Sequence, residues 1–445
     1  MKKVLIAIFA VIVTAMWVVP AMAVDATFDG QYRVRTIYTN NVVDNDSSTV
    51  DESSWIDQRF RLGIKMTEAP VMGYVQLQMG GSGANSSKVW GIDASTSAIQ
   101  VRQAYLDFPV GPVGIRLGRT YASHGFLAGG MFENIADRYI FTYKVSDVLT
   151  TSFIHAKARD AKTAGPAAGA NDNDRNIYNL GANYKMGDMG DAAARVYYVT
   201  DGLNYLSQAG VSTAGGDMSA WWATAQANLK FDAIKVYVSG AYLTGTSNRA
   251  AVGATTSASY NLTGYALHGD VSASFGSGQA KVGVVAGMGS GDDNTTDDTL
   301  NTFFAPGGAS YIQSVLFFQS GENNYSIGSI GGGLNLQNGS RETLSNVTWG
   351  GIYGDFKASD DLSLSAKYAI FQQTAESSTV NAATNSKDIG NELDLIASYK
   401  LHKGLSLLAA AAYFTPGDAY TGKDVTTAAK SDTISAYYAR LQWDF

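Results

Sequence analysis

The sequence predicts an all-β fold: a transmembrane antiparallel up-and-down β-barrel of about eighteen strands, with sixteen or twenty as the alternatives. Three observations carry this. The last residues, Ser431 to Phe445, alternate with the two-residue side-chain period of a strand: Tyr437, Ala439, Leu441, Trp443 and Phe445 on one face, Tyr438, Arg440, Gln442 and Asp444 on the other. The same aromatic strand ending recurs along the chain beside short turns. Short and long connections then alternate, as in a barrel with tight turns at one rim and long loops at the other.

The amino terminus places this barrel in an exported chain. Lys2 and Lys3 precede an apolar run from Val4 to Val19, and Ala21-Met22-Ala23 follows as a small-residue cleavage signal. Residues 1–23 read as a cleaved signal peptide, and residues 24–445 as a single barrel with long outer loops. No later stretch has the length and apolarity of a spanning helix. An exported chain of this kind is either soluble or a closed barrel, the other architecture that satisfies its backbone in lipid. The chain has no cysteine, so disulfides, thiolate metal sites and cysteine nucleophiles are excluded. Charged residues make up 16% and the formal net charge is −7, which argues against nucleic acid as a partner.

The aromatic endings are Phe108, Tyr143, Tyr184, Phe231, Phe275, Phe356, Tyr399 and Phe445. Each is followed by a few turn residues or ends the chain, and each is preceded by an apolar-leaning face in steps of two. Aromatics at one height on alternate strands form a membrane-interface girdle. Returning strands follow the turns at Val71–Met79, Val113–Gly118, Val148–Arg159, Asp191–Val199, Ile234–Leu243, Gln279–Met288, Leu362–Phe371 and Leu405–Phe414. Adding Phe28–Tyr38 and Trp55–Met66 at the front gives nine descending and nine ascending strands. Long polar segments follow the returning strands, among them Gly80–Ser97, Asp160–Asp174, Asp201–Met218 and Gly245–Tyr260. Ser290–Leu344 is expected to be the longest outer loop; folded into the lumen, its acidic stretch would set a transverse field against the basic wall. A hairpin of Ser310–Phe318 and Tyr325–Leu336 would instead make twenty strands, but Gly331-Gly332-Gly333 is poor strand material.

The faces opposite the lipid carry the charges. By parity Arg33 and Arg35 face inward on the first strand, and Asp57, Arg59, Arg61 and Lys65 on the second. Arg116 and Arg138 also face inward, giving a basic wall over the first six strands, and Arg440 joins it on the last. Asp107, Glu392 and Asp394 are the inward carboxylates. A charge on the lipid face costs roughly 2–4 kcal/mol near the midplane, so the inward reading follows. Arg102 violates it, sharing parity with Leu106 and Phe108, and is placed near the outer rim or past a bulge. Such a wall biases passage toward anions; charge layers that merely fill and stiffen the lumen are the competing reading for any one arginine. Asp292–Asp298 is an acidic loop without the ordered spacing of a calcium loop.

Nothing in the sequence calls for catalysis, a metal or a cofactor. The histidines are His124, His155, His268 and His402, and no Gly-x-Ser-x-Gly or His-Glu-x-x-His motif is present. His155 and His268 are read as facing inward on separate strands, where a barrel hydrolase would need them beside a serine or aspartate.

Several stretches resemble the large bacterial outer-membrane porins, particularly the branch that includes alginate-export channels. They are Ser54–Gly63, Gly118-Arg119 leading through Asn134 to Asp137-Arg138, Gly390–Asp394, and Phe414–Asp418. Thr120 stands where the Gly-Arg-Gln pattern has Gln. The resemblance implies a passive diffusion channel in the outer membrane, often a homotrimer. The last strand resembles the terminal strand that barrel insertion machinery reads, with Tyr437, Leu441, Trp443 and Phe445 on its lipid face. The expected function is passage of small hydrophilic solutes with some anion preference. A non-conducting anchor or scaffold at the cell surface is the alternative, and a barrel hydrolase the third choice.

Overall fold

The computed structural model describes residues 24–41, 52–80, 99–124, 132–159, 174–202, 217–249, 258–294, 297–305, 346–376, 386–421 and 432–445. Eighteen long strands form one antiparallel barrel. They are β1 Asp25–Asn40, β2 Ser53–Glu68, β3 Val71–Gly80, β4 Gln100–Val110, β5 Val113–His124, β6 Phe132–Lys144, β7 Leu149–Arg159, β8 Arg175–Lys185 and β9 Gly190–Asp201. The second half comprises β10 Met218–Phe231, β11 Ile234–Arg249, β12 Ala258–Phe275, β13 Ala280–Gly289, β14 Val347–Lys357, β15 Leu362–Gln373, β16 Asp388–His402, β17 Leu405–Pro416 and β18 Ile434–Asp444. Each strand pairs with its neighbours in sequence, and β18 pairs with β1 to close the ring.

Alternation decides which atoms meet lipid. On β18, Tyr437, Leu441 and Trp443 are 43%, 41% and 48% exposed, while Ala436 and Tyr438 between them are 0% and 3%. The outward set includes the whole girdle: Phe108 on β4, then Tyr143, Tyr184, Phe231, Phe275, Phe356, Tyr399 and Phe445 beside the short turns. A second set of outward aromatics, Tyr38, Trp221, Tyr242, Tyr265 and Tyr437, lies toward the other rim. Exposing so much large apolar surface to water would be untenable, whereas lipid takes it at no cost.

The seam is clasped at its periplasmic end. The backbones of Gly30 and Phe445 exchange hydrogen bonds at 2.9 and 3.0 Å. The Phe445 ring stacks on Phe60 at 6.3 Å and lies over Gly30, where any Cβ would collide with it. Glycine is required at this close approach.

Two boundaries differ from expectation. β5 runs on to His124 rather than stopping at Gly118, and β11 runs to Arg249 rather than Leu243, with β12 starting at Ala258. The described ends of Gly245–Tyr260, residues 245–249 and 258–260, are therefore strand. Above the bilayer both faces of a hairpin are wet, so apolar alternation lapses although the strand pairing continues, with Thr246 in register with Asn261. Within Ser290–Leu344, β13 pairs directly with β14, from Ala280↔Phe356 to Met288↔Thr348. The segment thus adds no strand between them, and the possible hairpin at 310–336 lies outside the described residues. Its start forms a two-residue strand, Thr299–Leu300, parallel to Asn261–Leu262 of β12.

Gly30→Val should weaken closure by overpacking, by about 1–3 kcal/mol. Heat-modifiable mobility on gels would fall relative to wild type; an unchanged folded fraction and urea midpoint would show that the Phe445 ring does not need this glycine.

Candidate functional site

The inner wall carries two chemically different arcs. The first is basic and spans β18 through β6. Cross-strand register sets Arg33 opposite Arg59, Gln31 opposite Arg61 and Arg35 opposite Asp57, with Arg440 opposite Arg35 on the other side. Arg35 grips Asp57 with two donors, Nε at 2.7 Å and Nη2, and Arg33 Nη2 lies 3.9 Å from the same carboxylate. Arg59 donates to Gln31, and Arg61 Nε donates to Gln78 at 2.7 Å. Gln31 and Gln78 thus act as neutral acceptors that help fix the direction of these two guanidiniums. Arg33, Arg35, Arg59, Arg61, Arg138 and Asp57 are buried in the wall. Arg440 is half-buried, and Lys65 is exposed toward the periplasmic mouth.

Further round, Arg116 makes a bidentate pair with Asp107, at 2.7 and 2.6 Å, and its guanidinium lies 4.3 Å from the centre of the Tyr105 ring. This arginine is locally neutralised. Arg138 donates to the Thr120 carbonyl at 2.6 Å. Arg102 faces inward after all. The β3–β4 register skips it between Gln103 and Val101, and this bulge turns it to Gln76 at 3.1 Å and to the Tyr121 ring.

The second arc, β12 through β16, mixes carboxylates with lysines. Glu392 and Asp394 are buried on the inward face of β16, with Lys367 across from Asp394. Tyr353 donates to Asp270 at 2.9 Å, and Lys281 reaches Asp355 at 2.6 Å. Asp270, Lys281, Tyr353, Asp355 and Lys367 line a cavity of about 360 Å³. Register and parity therefore put all the expected pore-lining residues on the inner wall, but in two arcs rather than one cluster.

The sequence left open whether the long loop after β13 folds into the lumen, and the part of it that is described does. Residues 297–305 lie against the inner wall of β10 and β12. Trp222 Nε1 donates to the Phe304 carbonyl at 2.7 Å, and the two rings meet edge-on at 5.6 Å. Ser290 Oγ donates to the Asn301 carbonyl at 2.6 Å and accepts from the Tyr265 amide, while Phe303 N donates to the Ser290 carbonyl at 3.0 Å. Gly264 supplies clearance, since a Cβ there would lie 2.9 Å from the Phe303 backbone. Only the apolar pair Phe303-Phe304 inside a polar loop hinted at this. In the acidic stretch, Asp292 and Asp297 accept hydrogen bonds from the Asn294 and Thr299 amides, which locks a turn.

Two expectations are corrected. His155 faces outward, stacked between Tyr139 and Tyr178 at 5.9 and 4.7 Å, with Asn176 beside its Nε2. It is therefore in a different compartment from the inward His268. The inward rule for charge also fails at Arg119, Asp137 and Lys157, which share the outward face with Tyr139 and Phe153.

A family model of alginate export matches residues 93–432. The chain belongs to the alginate-export family. It is an outer-membrane channel barrel, located in the bacterial outer membrane. No curated protein matches the sequence. Among solved structures, the chain is similar to a BenF-like porin from Pseudomonas fluorescens Pf-5, at 12% identity and TM-score 0.56, over 95% of this chain and 98% of that one. It is similar to OpdK of Pseudomonas aeruginosa at 10% identity and TM-score 0.55, covering 95% and 98%. OccAB4 of Acinetobacter baumannii gives 9% identity and TM-score 0.55, covering 96% and 100%. At such identities these likenesses concern the fold.

The inward segment generates a prediction. Trp222→Ala and Gly264→Val each remove or displace the seat of 297–305, one by losing a donor and a ring, the other by adding a methyl pair against Phe303. Either should enlarge single-channel conductance while the barrel stays folded. Conductance equal to wild type in both would mean that this segment does not narrow the path.

Proposed function

We propose that this channel passes small hydrophilic solutes passively, with a preference for anions that bear carboxylates. The observation that carries the reading is the inward basic arc: Arg33, Arg35, Arg59 and Arg61 on two adjacent strands, flanked by Arg440, with Asp57 shared by two of them. Guanidinium is charged at every accessible pH. A low-dielectric wall focuses that field into the lumen and raises the local anion concentration. Arg116 contributes little, being paired with Asp107, and the second arc sets Asp270, Asp355, Glu392 and Asp394 against Lys281 and Lys367, so the anion preference rests on the basic arc alone. Two structures of similar fold support the solute class by what their titles name: Pseudomonas aeruginosa OccK2 in complex with glucuronate and OpdK with vanillate. Each of those ligands is a ring carrying a carboxylate. No catalytic role is proposed.

Export and assembly complete the proposal. Residues 1–23 act as a cleaved signal peptide, and Tyr437, Leu441, Trp443 and Phe445 present the lipid-facing signal that insertion machinery recognises. Deleting Phe445 should remove most of the protein from the outer-membrane fraction; normal levels there would refute that role.

Replacing Arg59 and Arg61 with Gln keeps polar contacts to Gln31 and Gln78 but removes two charges. The anion-to-cation permeability ratio should fall several-fold at low salt. The difference should shrink as the screening length drops from about 30 Å at 0.01 M to about 3 Å at 1 M. A ratio that matches wild type at 0.01 M would make these arginines structural and end the anion reading, leaving the barrel as it is.

A further inference from the structure

The outer surface holds a charged row that lipid cannot solvate. Among the described strand residues, strand ends excepted, the charged side chains on the outward face are Arg119, Asp137 and Lys157. They are direct neighbours: Arg119 pairs in register with Asp137, and Asp137 with Lys157. Lys157 Nζ extends the row to Asp174 at 2.5 Å, and Asn176 stands opposite Lys157 on β8. Just below, Tyr139, His155, Tyr178, Tyr198 and Trp221 form a continuous ring ladder with centroid spacings of 5.9, 4.7, 6.2 and 4.5 Å.

Height makes this face unusual. Arg119 and Asp137 stand about six residues above the turn-side ends of β5 and β6. At about 3.3 Å per residue and a tilt of about 40°, that is roughly 15 Å. The apolar band of a barrel wall is about 25 Å tall. On β10 it reaches that height, since Trp221 lies about ten residues above Phe231. These charges therefore fall inside the hydrocarbon layer.

We infer that the outward face of β5–β8 is an interface with a second copy of this chain. The row alternates in sign: Arg119, Asp137, Lys157, Asp174. Half a turn about the membrane normal presents the reversed row, so that Asp137 faces the Lys157 of the second copy and Arg119 faces its Asp174. Such a row is self-complementary, whereas lipid tails match none of it. The flat ring ladder beneath supplies apolar contact area at low entropy cost. The inference concerns the outside of the barrel and does not depend on what the lumen conducts.

The test measures mass and stability together. Wild-type protein extracted in mild detergent should run as an oligomer by light scattering. Asp137→Lys makes the row entirely basic up to Asp174 and should yield single chains that keep heat-modifiable folding. Arg119→Leu with Asp137→Leu provides a second variant should that one misfold: it too should yield single chains. Because the chain has no cysteine, coexpressed Asp137→Cys and Lys157→Cys variants should form a disulfide-linked pair in native membranes, while Ile352→Cys on the outward face of β14 should not. A monomeric wild type whose double-leucine variant unfolds at higher urea would overturn the inference, because the row would then be facing lipid. Monomers that copurify with an anionic lipid would overturn it equally.

Discussion

Every backbone amide and carbonyl in the hydrocarbon layer must find a partner within the protein, and a sheet can do this only by closing. The seam between β18 and β1 is where this requirement is met. Ten register pairs, from Gln31↔Asp444 to Asn40↔Ser435, join the two ends of the chain, about four hundred residues apart in sequence. Phe445 and Gly30 finish the ladder at the periplasmic rim. Closure leaves no edge strand, and it creates an inside. Once there is an inside, the two-residue side-chain period assigns one face to lipid and the other to the lumen on every strand.

That division accounts for the chemistry. Apolar side chains supply the outer band, and each takes no special partner. Polar side chains on the inner wall stand at fixed spacings because strands are rigid and cross-strand neighbours are about 5 Å apart. Arg33 and Arg59 are held beside each other in this way although like charges repel. The ladder hydrogen bonds fix the backbones, and Asp57, Gln31 and Gln78 receive the guanidinium donors. The lumen is further shaped by 297–305, anchored by Trp222 and Ser290 against a wall kept low by Gly264.

Much of this was legible in the amino-acid sequence, because a period of two survives small errors in strand ends. The eighteen strands and the girdle follow from recurring aromatic endings and alternating connections, and the inward facing of Arg33, Arg35, Arg59, Arg61, Glu392 and Asp394 follows from parity. Parity fails where the ladder skips a residue, as at Arg102, where a charge on an otherwise apolar face is the mark of the bulge. It is ambiguous on β7, where Phe153 and Ile154 are both apolar: His155 is expected inward, yet it stacks outside with Tyr139 and Tyr178. The outward Arg119, Asp137 and Lys157 escaped for a related reason, since lipid was assumed on all sides of the barrel. The seat of Phe304 on Trp222 was illegible because it joins residues 82 positions apart in sequence without any periodic signal.

We proposed a water-filled barrel whose inner field is positive. Purified wild-type protein in a planar bilayer, bathed by a tenfold potassium chloride gradient at low ionic strength, tests this most directly. The account predicts stepwise openings and a zero-current potential whose sign reports chloride as the more permeant ion, falling toward zero as salt is raised. A barrel that gives no openings, or a potential of the cation-selective sign at low salt, would contradict it.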